Sequence, residues 1–295
     1  MALARRGRAQ RLRFLGRRDS SVAKRIQRSV GELIAPRVVA YIRVKTRHRS
    51  YMPPAIKVKS SDTAIRKDRE EAAYRVIVRF GERLPDFRLL CFFDDEDWPV
   101  LRGRGMAANR GAYFSNPPWV DTPPYIRGCA LVEGQPAFDN LIYLHGSTCA
   151  DKVGLTMTFA HELQHFVQHG TSRLLWAVNT LAYATLRDLE MPDFKALALR
   201  TCDIPFEREA RMIAKRVAED LLGKDRVHKH IEAKIAERVT EQDAVDWDCI
   251  RGLDVTAPYD LASETQRFFP RLKTCRLELE RELRRRQTDT DFRTI

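Results

Sequence analysis

The sequence predicts an α+β fold in which a small twisted sheet precedes a mostly helical C-terminal half. All predicted strands come before Asp151, and from that residue onward apolar side chains recur at helical spacing. A chain of 295 residues, 44% of them hydrophobic, is long enough to bury a core. Strands followed by a run of helices favour the α+β class over alternating α/β units.

The positive charge is concentrated near the N-terminus. Residues 1–70 contain 20 Lys and Arg against 5 Asp and Glu, whereas residues 71–295 contain 32 against 35. An Arg-rich segment with few apolar residues is typical of a solvated tail. We therefore predict a partly disordered basic extension over 1–59 and a folded domain over 60–295. Such an extension can attract nucleic acid or another polyanion without a fold of its own.

Composition favours a cytoplasmic protein without a membrane span. No apolar run reaches the roughly 18 residues of a membrane helix, and no apolar stretch follows the basic N-terminus as in a secretory signal. The six cysteines form no CxxC pair, which indicates reduced thiols rather than a disulfide framework. An Arg-rich, acid-poor start also suits mitochondrial targeting, which stays open as an alternative.

Between residue 46 and Asp151 the predicted elements are a linker, one helix, three strands and a loop, after a short helix capped by Ser21 and a strand at 38–42 in the extension. Residues 46–60 are polar and contain Pro53-Pro54, so they are predicted to be a linker. An apolar stripe from Ile65 to Phe80 predicts a helix capped by Asp62. A stretch rich in proline and glycine, Pro99–Pro124, is predicted as loop. The strand candidates are Arg88–Phe93, Tyr125–Val132 and Leu141–Leu144.

From Asp151 the chain is predicted to be helical almost to its end. Pro192 stops one helix, Pro205 suits the first turn of the next, and Gly223 suits its end. The predicted helices span 152–169, 172–190, 205–222, 225–241 and 262–287.

The first of these helices carries the segment HELQH at 161–165, which predicts a metal site. His161 and His165 project from one face, a turn apart, where two imidazole nitrogens can bind one zinc ion at about 2.0–2.1 Å. Glu162 points away from that pair, so it can act as general base on a water that the ion binds. Apolar residues flank the motif, and buried imidazoles need partners such as a metal ion.

A catalytic zinc site needs a third protein ligand, and several acidic residues are candidates. Glu207 lies in the first turn of the helix from Pro205, Glu209 lies about 200° around that helix, and Glu190 ends the preceding helix. His169 is about 12 Å along the helix axis from His161, so it is expected beside the site rather than on the ion.

HELQH, together with the E-x-x-A string of Glu207 and Ala210, resembles the zincin metallopeptidases of the gluzincin kind. The nearest groups are the compact ImmA/IrrE-like and HtpX-like ones. The resemblance implies a zincin-like fold, one Zn²⁺ with Glu207 as third ligand, and a peptide or protein substrate. It also implies that an edge strand, Leu141–Leu144 or Tyr125–Val132, holds the substrate in extended form. Arg211 departs from the pattern, because those groups have Asp or Asn there to brace a ligand histidine.

Two other functions stay open at this point. A deformylase-like metallohydrolase would use an upstream cysteine as third ligand, and Cys129 and Cys149 are available. A non-catalytic zinc-binding or nucleic-acid-associated protein would use the basic segment instead. Glu162 argues against a purely structural zinc ion, because such a site has no use for a base. The candidate donors to an oxyanion are Tyr183, His228 and His230.

Overall fold

A computed structural model describes residues 56–60, 66–94, 111–115, 117, 122, 124–132, 135–146, 148, 151–189, 201–237 and 241–292. The chain divides into two units, Met1–Ser50 and Tyr51–Ile295, and all described residues belong to the second. The predicted basic extension up to Ala55 lies outside the described residues. So do the predicted cap Asp62, the candidate ligand Glu190 and Cys149.

The described strands are β1 Ile56–Ser60, β2 Leu89–Asp94, β3 Gly111–Ser115, β4 Leu131–Val132, β5 Gln135–Pro136 and β6 Asn140–His145. Four of them form a mixed sheet in the order β1–β2–β6–β3. β1 is parallel to β2 and β2 is parallel to β6, whereas β3 runs antiparallel to β6. β4 and β5 form a separate antiparallel pair. The four-stranded sheet therefore ends in β1 on one side and in β3 on the other.

The described helices are α1 Arg66–Phe80, α2 Pro124–Ala130, α3 Lys152–Thr171, α4 Arg173–Leu189, α5 Pro205–Leu222, α6 Lys224–Glu237, α7 Glu241–Arg251 and α8 Leu261–Phe292. α3 begins at Asp151, whose carboxylate accepts hydrogen bonds from the backbone N–H groups of Val153 and Gly154 at 2.9 and 2.8 Å. α5 begins with Pro205 and ends at Gly223, where φ is +90°. Glycine adopts that conformation without steric cost.

Apolar side chains cover both faces of the sheet. Leu89, Cys91 and Phe93 pack with α1, α3 and α5. Leu90 and Phe92 alternate to the other face and pack with α2. Burial on two faces explains the continuous apolar run of β2, and each buried Leu or Phe contributes roughly 1.5–3 kcal/mol. The sheet thus provides a rigid support for α3 and its motif.

The structure confirms the α+β class and the position of all described strands before the motif helix. The helices expected at 152–169, 172–190 and 205–222 are present with ends shifted by at most two residues. The helix expected at 225–241 ends at Glu237, and α7 begins at Glu241. The strand expected at Arg88–Phe93 is β2, and the one expected at Leu141–Leu144 is β6.

Three predictions before the motif were wrong. The last five residues of the predicted linker 46–60 form β1, because Val58 is buried in the core next to β2. The predicted loop Pro99–Pro124 contains β3, which is stabilised by pairing with β6 rather than by a local pattern. Tyr125–Val132 is mostly α2, followed by the short β4: Ile126 and Ala130, four residues apart, face the same apolar cluster.

None of the helices in the described ranges has both the length and the hydropathy that crossing a bilayer requires.

Candidate metal centre

The two helices that carry the predicted ligands, α3 and α5, pack against each other more extensively than any other helix pair described. Ala210, the small residue of the E-x-x-A string, is fully buried on α5. Pro205 begins α5 and so places Glu207 in its first turn, where a free backbone N–H end favours a carboxylate. The packing brings residues 42 or more positions apart in sequence to one site.

His161, His165 and Glu207 form a three-residue cluster. The Nε2 atoms of the two histidines are 3.0 Å apart. The Glu207 carboxylate oxygens lie 3.3 Å from His161 Nε2 and 3.5 Å from His165 Nε2. His165 and Glu207 are buried, whereas the His161 side chain keeps 19% of its surface exposed. Solvent therefore reaches the cluster on the His161 side.

The donor atoms of this cluster lie at distances that suit a shared zinc ion. Two ligands bound at about 2.0–2.1 Å in a tetrahedron are about 3.3 Å apart. The two Nε2 atoms are 3.0 Å apart, and the distances from His161 Nε2 to Glu207 Oε2 and from His165 Nε2 to Glu207 Oε1, 3.3 and 3.5 Å, lie close to that value. Two imidazole nitrogens and one carboxylate oxygen are also the donor set of a known class of catalytic zinc site. The described residues thus include a group that could hold one divalent ion.

Glu162 lies beside this cluster but is not one of its three members. Its side chain is 7% exposed. Burial raises the pKa of Glu162, and the nearby His161 and His165 oppose that rise only in part. A carboxylate with a raised pKa next to the candidate ligands suits a group that accepts a proton and later returns it.

The edge strand β3 contacts Glu162 through its backbone. The N–H of Tyr113 donates a hydrogen bond to the Glu162 carboxylate. Among the described strands β3 pairs with β6 alone, so its other side is an edge of the sheet. At Gly111 an added Cβ would lie 2.9 Å from Thr158 Cγ2 and 3.3 Å from Glu162 Cγ. Glycine therefore permits this close approach of β3 to the motif helix.

Neither of the two segments expected to be an edge strand of the sheet is one. β6, which contains Leu141–Leu144, lies between β2 and β3 and is not an edge, and Tyr125–Val132 is mostly helical. The edge next to the cluster is β3, which lies in the stretch predicted as a loop.

Gln168 supports His165 through a hydrogen bond between His165 Nδ1 and Gln168 Oε1, 2.8 Å apart. The amide nitrogen of Gln168 donates to the Phe206 carbonyl and to the Glu209 carboxylate, each at 2.8 Å. Because the amide nitrogen is committed as donor, Oε1 accepts a hydrogen bond from the Nδ1–H group. Nε2 of His165 is then the ring nitrogen that faces His161 and Glu207.

Glu209, the second candidate ligand, is not in the cluster. Its carboxylate accepts hydrogen bonds from Gln168 and, at 3.1 Å, from Gln164 Nε2. Gln164 in turn accepts a bond of 3.0 Å from Arg83. Glu209 is therefore linked to His165 through Gln168, whereas Gln164 links it to Arg83.

Arg211 does not brace a ligand histidine. It donates a hydrogen bond of 3.2 Å to Asp246 on α7. Burial would lower the pKa of Arg211, but the nearby carboxylates of Asp246 and Glu207 raise it. The role that the resemblance assigns to Asp or Asn at this position is filled for His165 by Gln168.

The charges of the cluster are complementary. Burial would lower the pKa of His165, but the Glu207 carboxylate outweighs burial and raises it to about 9. Burial would likewise raise the pKa of Glu207, but His165 and His161 hold it well below its usual range. An ionised carboxylate is thus available next to two imidazoles, and a bound cation would take the place of the imidazolium proton.

His169 lies beside the site, as expected, and not in the cluster. The Tyr113 hydroxyl donates to Asn140 Oδ1 at 2.7 Å and accepts from His169 Nδ1 at 2.9 Å. His169 thereby ties β3 to the last turns of α3. Trp176 packs its ring 5.7 Å from the rings of both His165 and His169, which adds an apolar wall to this side.

The predicted oxyanion donors lie in different surroundings. His228 faces Glu232 on α6, with 66% of its side chain exposed. His230 faces Asp151 at 3.4 Å, about 15 Å along α3 from His161. The Tyr183 ring lies 6.3 Å from Phe206, whose ring is 4.9 Å from His165. Of the three, Tyr183 is the one whose contacts lead to the cluster.

Cys129 packs with the apolar cluster of α2 on the opposite face of the sheet from α3. It is not among the residues that could share an ion with His161.

Comparison of the chain with protein-family models, with curated proteins and with solved structures finds no match. The geometry of the described residues is therefore the basis for assigning a function.

Proposed function

We propose that this chain is a zinc-dependent metallopeptidase in which His161, His165 and Glu207 hold one Zn²⁺ and Glu162 is the general base. The observation that carries the proposal is the convergence of two imidazole nitrogens and the Glu207 carboxylate, 3.0–3.5 Å apart, next to a buried carboxylate that is not one of the three. A structural ion would need no free base at that position. The HExxH and E-x-x-A strings, which resemble gluzincins, agree with this assignment.

The proposed chemistry assigns a distinct role to each side chain. A zinc ion in such a site lowers the pKa of a water molecule and polarises a carbonyl oxygen. Glu162 takes the proton from the water as it attacks the scissile carbonyl carbon, and then delivers that proton to the leaving amine. Burial raises the pKa of Glu162, which makes its carboxylate a stronger proton acceptor than an exposed one. Glu207, ionised and buried, balances the charge of the cation.

The substrate class is inferred from β3. Its outer side directs backbone groups away from β6 at the position of Glu162, and a peptide can pair with such an edge as an added antiparallel or parallel strand. In this mode of binding the main chain of the peptide would form hydrogen bonds with β3, and one of its peptide bonds would lie next to Glu162. A peptide or protein is therefore favoured over a small ester or amide.

The deformylase-like alternative finds less support. Cys129 lies on the far side of the sheet, Cys149 lies outside the described residues, and Glu207 lies next to the two histidines. The alternative of a nucleic-acid-associated protein depends on the basic segment 1–59, of which the structure describes only 56–59, and no observation favours it.

The decisive experiment compares Glu162→Gln with Glu219→Gln. Glutamine is the same size as glutamate, so the first variant leaves the three ligands in place, whereas Glu219 lies on α5 outside the cluster. Metal content and hydrolysis of a fluorogenic peptide library are measured on zinc-loaded full-length protein. We expect both variants to keep one zinc ion and only Glu162→Gln to lose hydrolysis, by at least about 10²-fold.

Two results would refute the proposal. One is wild-type protein that binds no zinc above the level of His161→Ala. The other is Glu162→Gln protein that hydrolyses peptides as fast as wild type.

A further inference from the structure

Gln168 forms hydrogen bonds next to two candidate ligands, His165 and Glu207. Its Oε1 accepts from Nδ1 of His165, and its Nε2 donates to the carbonyl of Phe206, the residue immediately before Glu207. One buried amide on α3 therefore contacts both the imidazole of one ligand and the backbone that carries another. A change at this single side chain would reach both ligands.

Glu209 fixes the orientation of that amide. A glutamine side chain can turn over and exchange its oxygen and nitrogen. With Phe206 O and the Glu209 carboxylate both within 2.8 Å, the nitrogen must face α5, because reversal would set oxygen against two acceptors. The same orientation presents oxygen to Nδ1 of His165, so Nε2 is the nitrogen that faces the cluster and exchanges its proton for a metal.

Aromatic packing also restricts the movement of His165 and Phe206. The Phe206 ring lies 4.9 Å from the His165 ring and 5.4 Å from the Trp176 ring. Both Gln168 and His165 are buried, so water does not readily replace a lost hydrogen bond there, and an unpaired group is left without compensation.

We infer that Gln168, oriented by Glu209, is the positioning residue that sets the His165 tautomer and the placement of Glu207 for metal binding. This inference rests on the proposed metal site. It gives Gln168 and Glu209, neither of which is a ligand, a role in metal affinity.

Gln164 provides a matched control. It is also a buried glutamine of α3 and also donates to Glu209, but its oxygen accepts from Arg83, not from a histidine. Replacing either glutamine with leucine removes one buried amide from the same helix. If a loss of zinc affinity reflects packing alone, both leucine variants lose affinity. If Gln168 positions the ligands, only Gln168→Leu loses it.

The test measures Zn²⁺ affinity by competition with a chelator and the visible spectrum of Co²⁺-loaded protein, on full-length chains whose folding is checked by circular dichroism. We expect Gln168→Leu to weaken zinc binding about 10–100-fold and to shift the Co²⁺ spectrum. Gln164→Leu should keep wild-type affinity and spectrum even if its thermal stability falls. Equal zinc affinity in wild type and Gln168→Leu would overturn the inference, as would equal losses in the two leucine variants.

A second pair of variants keeps the test decisive if Gln168→Leu does not fold. In Gln168→Glu, two carboxylates face each other at positions 168 and 209. Adding Glu209→Gln supplies an amide donor at position 209, so the hydrogen bond between the two side chains can form again. In both variants a side-chain oxygen at position 168 still faces His165. We expect the double variant to bind zinc more tightly than Gln168→Glu alone, because the pair then couples favourably. A double variant no tighter than the single one contradicts the inference. A wild-type protein that binds neither ion instead removes the proposed function itself.

Discussion

The backbone N–H of Tyr113 donates a hydrogen bond to the Glu162 carboxylate, so the edge strand of the sheet and the candidate base are in direct contact. This contact positions the base at the strand along which we propose that substrate lies. It depends on a very close approach of β3 to α3, which Gly111 permits.

We predict that Gly111→Ala separates β3 from Glu162. The new Cβ would meet Thr158 Cγ2 at 2.9 Å, shorter than real contacts allow, so the strand must shift. We expect a loss of about 1–3 kcal/mol in the free energy of unfolding and a larger proportional loss of peptide hydrolysis. Urea denaturation and steady-state kinetics measure the two effects.

Two further variants test the cause. Thr158→Ser removes Cγ2, so Gly111→Ala combined with Thr158→Ser should regain part of the lost stability. Gly128→Ala is the control, because an added Cβ there meets nothing within 4 Å. If Gly111→Ala proves as harmless as Gly128→Ala, the close contact between β3 and α3 does not exist in solution.

We predict that the metal-free protein loses stability as the pH rises from about 6.5 to about 9. The pKa of His165 rises from an ordinary value of 6.5 to about 9 in the folded protein, where burial opposes the rise and Glu207 dominates. Because the pKa of His165 is higher in the folded than in the unfolded protein, its protonation stabilises the folded state. That contribution is complete below pH 6.5 and disappears as the pH passes about 9. The loss is at most on the order of 3 kcal/mol.

Urea unfolding with a chelator, at several pH values, measures this dependence. His165→Gln should flatten it, whereas His228→Gln, at an exposed position of α6, should leave it unchanged. Saturating zinc should also remove it, because the ion displaces the imidazolium proton. The same slope in His165→Gln and wild type would show that another group is responsible.

We predict that Cys249 is the most reactive thiol among the described cysteines. A hydrogen bond from Cys202 lowers the pKa of Cys249 to about 6, burial opposes this effect, and Arg211 adds to it. By contrast, burial raises the pKa of Cys91. Because the thiolate is the nucleophile, alkylation by iodoacetamide should proceed fastest at Cys249, with a midpoint near pH 6. Mass spectrometry of peptides from timed reactions gives the rates.

Cys202→Ala removes the donor and should move the midpoint of Cys249 alkylation toward the ordinary thiol value of 9.0. Cys202→Ser keeps a hydroxyl donor and should move it less. A midpoint close to 9 in the wild-type protein would contradict this prediction.

The sequence predicted best those features that a single helix determines. His161 and His165 share a helix face whatever the rest of the fold, and the caps and proline that begin α3 and α5 are local signals as well. Glu207 could be named only through a family resemblance, since its approach to the histidines depends on how two helices pack.

The sequence did not predict the elements that depend on contacts between segments far apart in the chain. β3 is a five-residue strand in a stretch rich in glycine and proline, and it is held by β6 and by the contact with α3. Arg211 broke the family pattern without showing which residue replaced it. Gln168 lies three residues after His165, on the same helix face, and that spacing is a signal that could have identified it.

The two ends of the four-stranded sheet differ in charge. β1 carries Lys57 and Lys59, and lysines on an outer strand discourage a further chain from joining the sheet there. β3 has the uncharged sequence GAYFS. A basic extended polypeptide is therefore repelled from β1, whereas the five residues of β3 carry no charge of their own, so of the two outer strands described β3 opposes the addition of such a strand less.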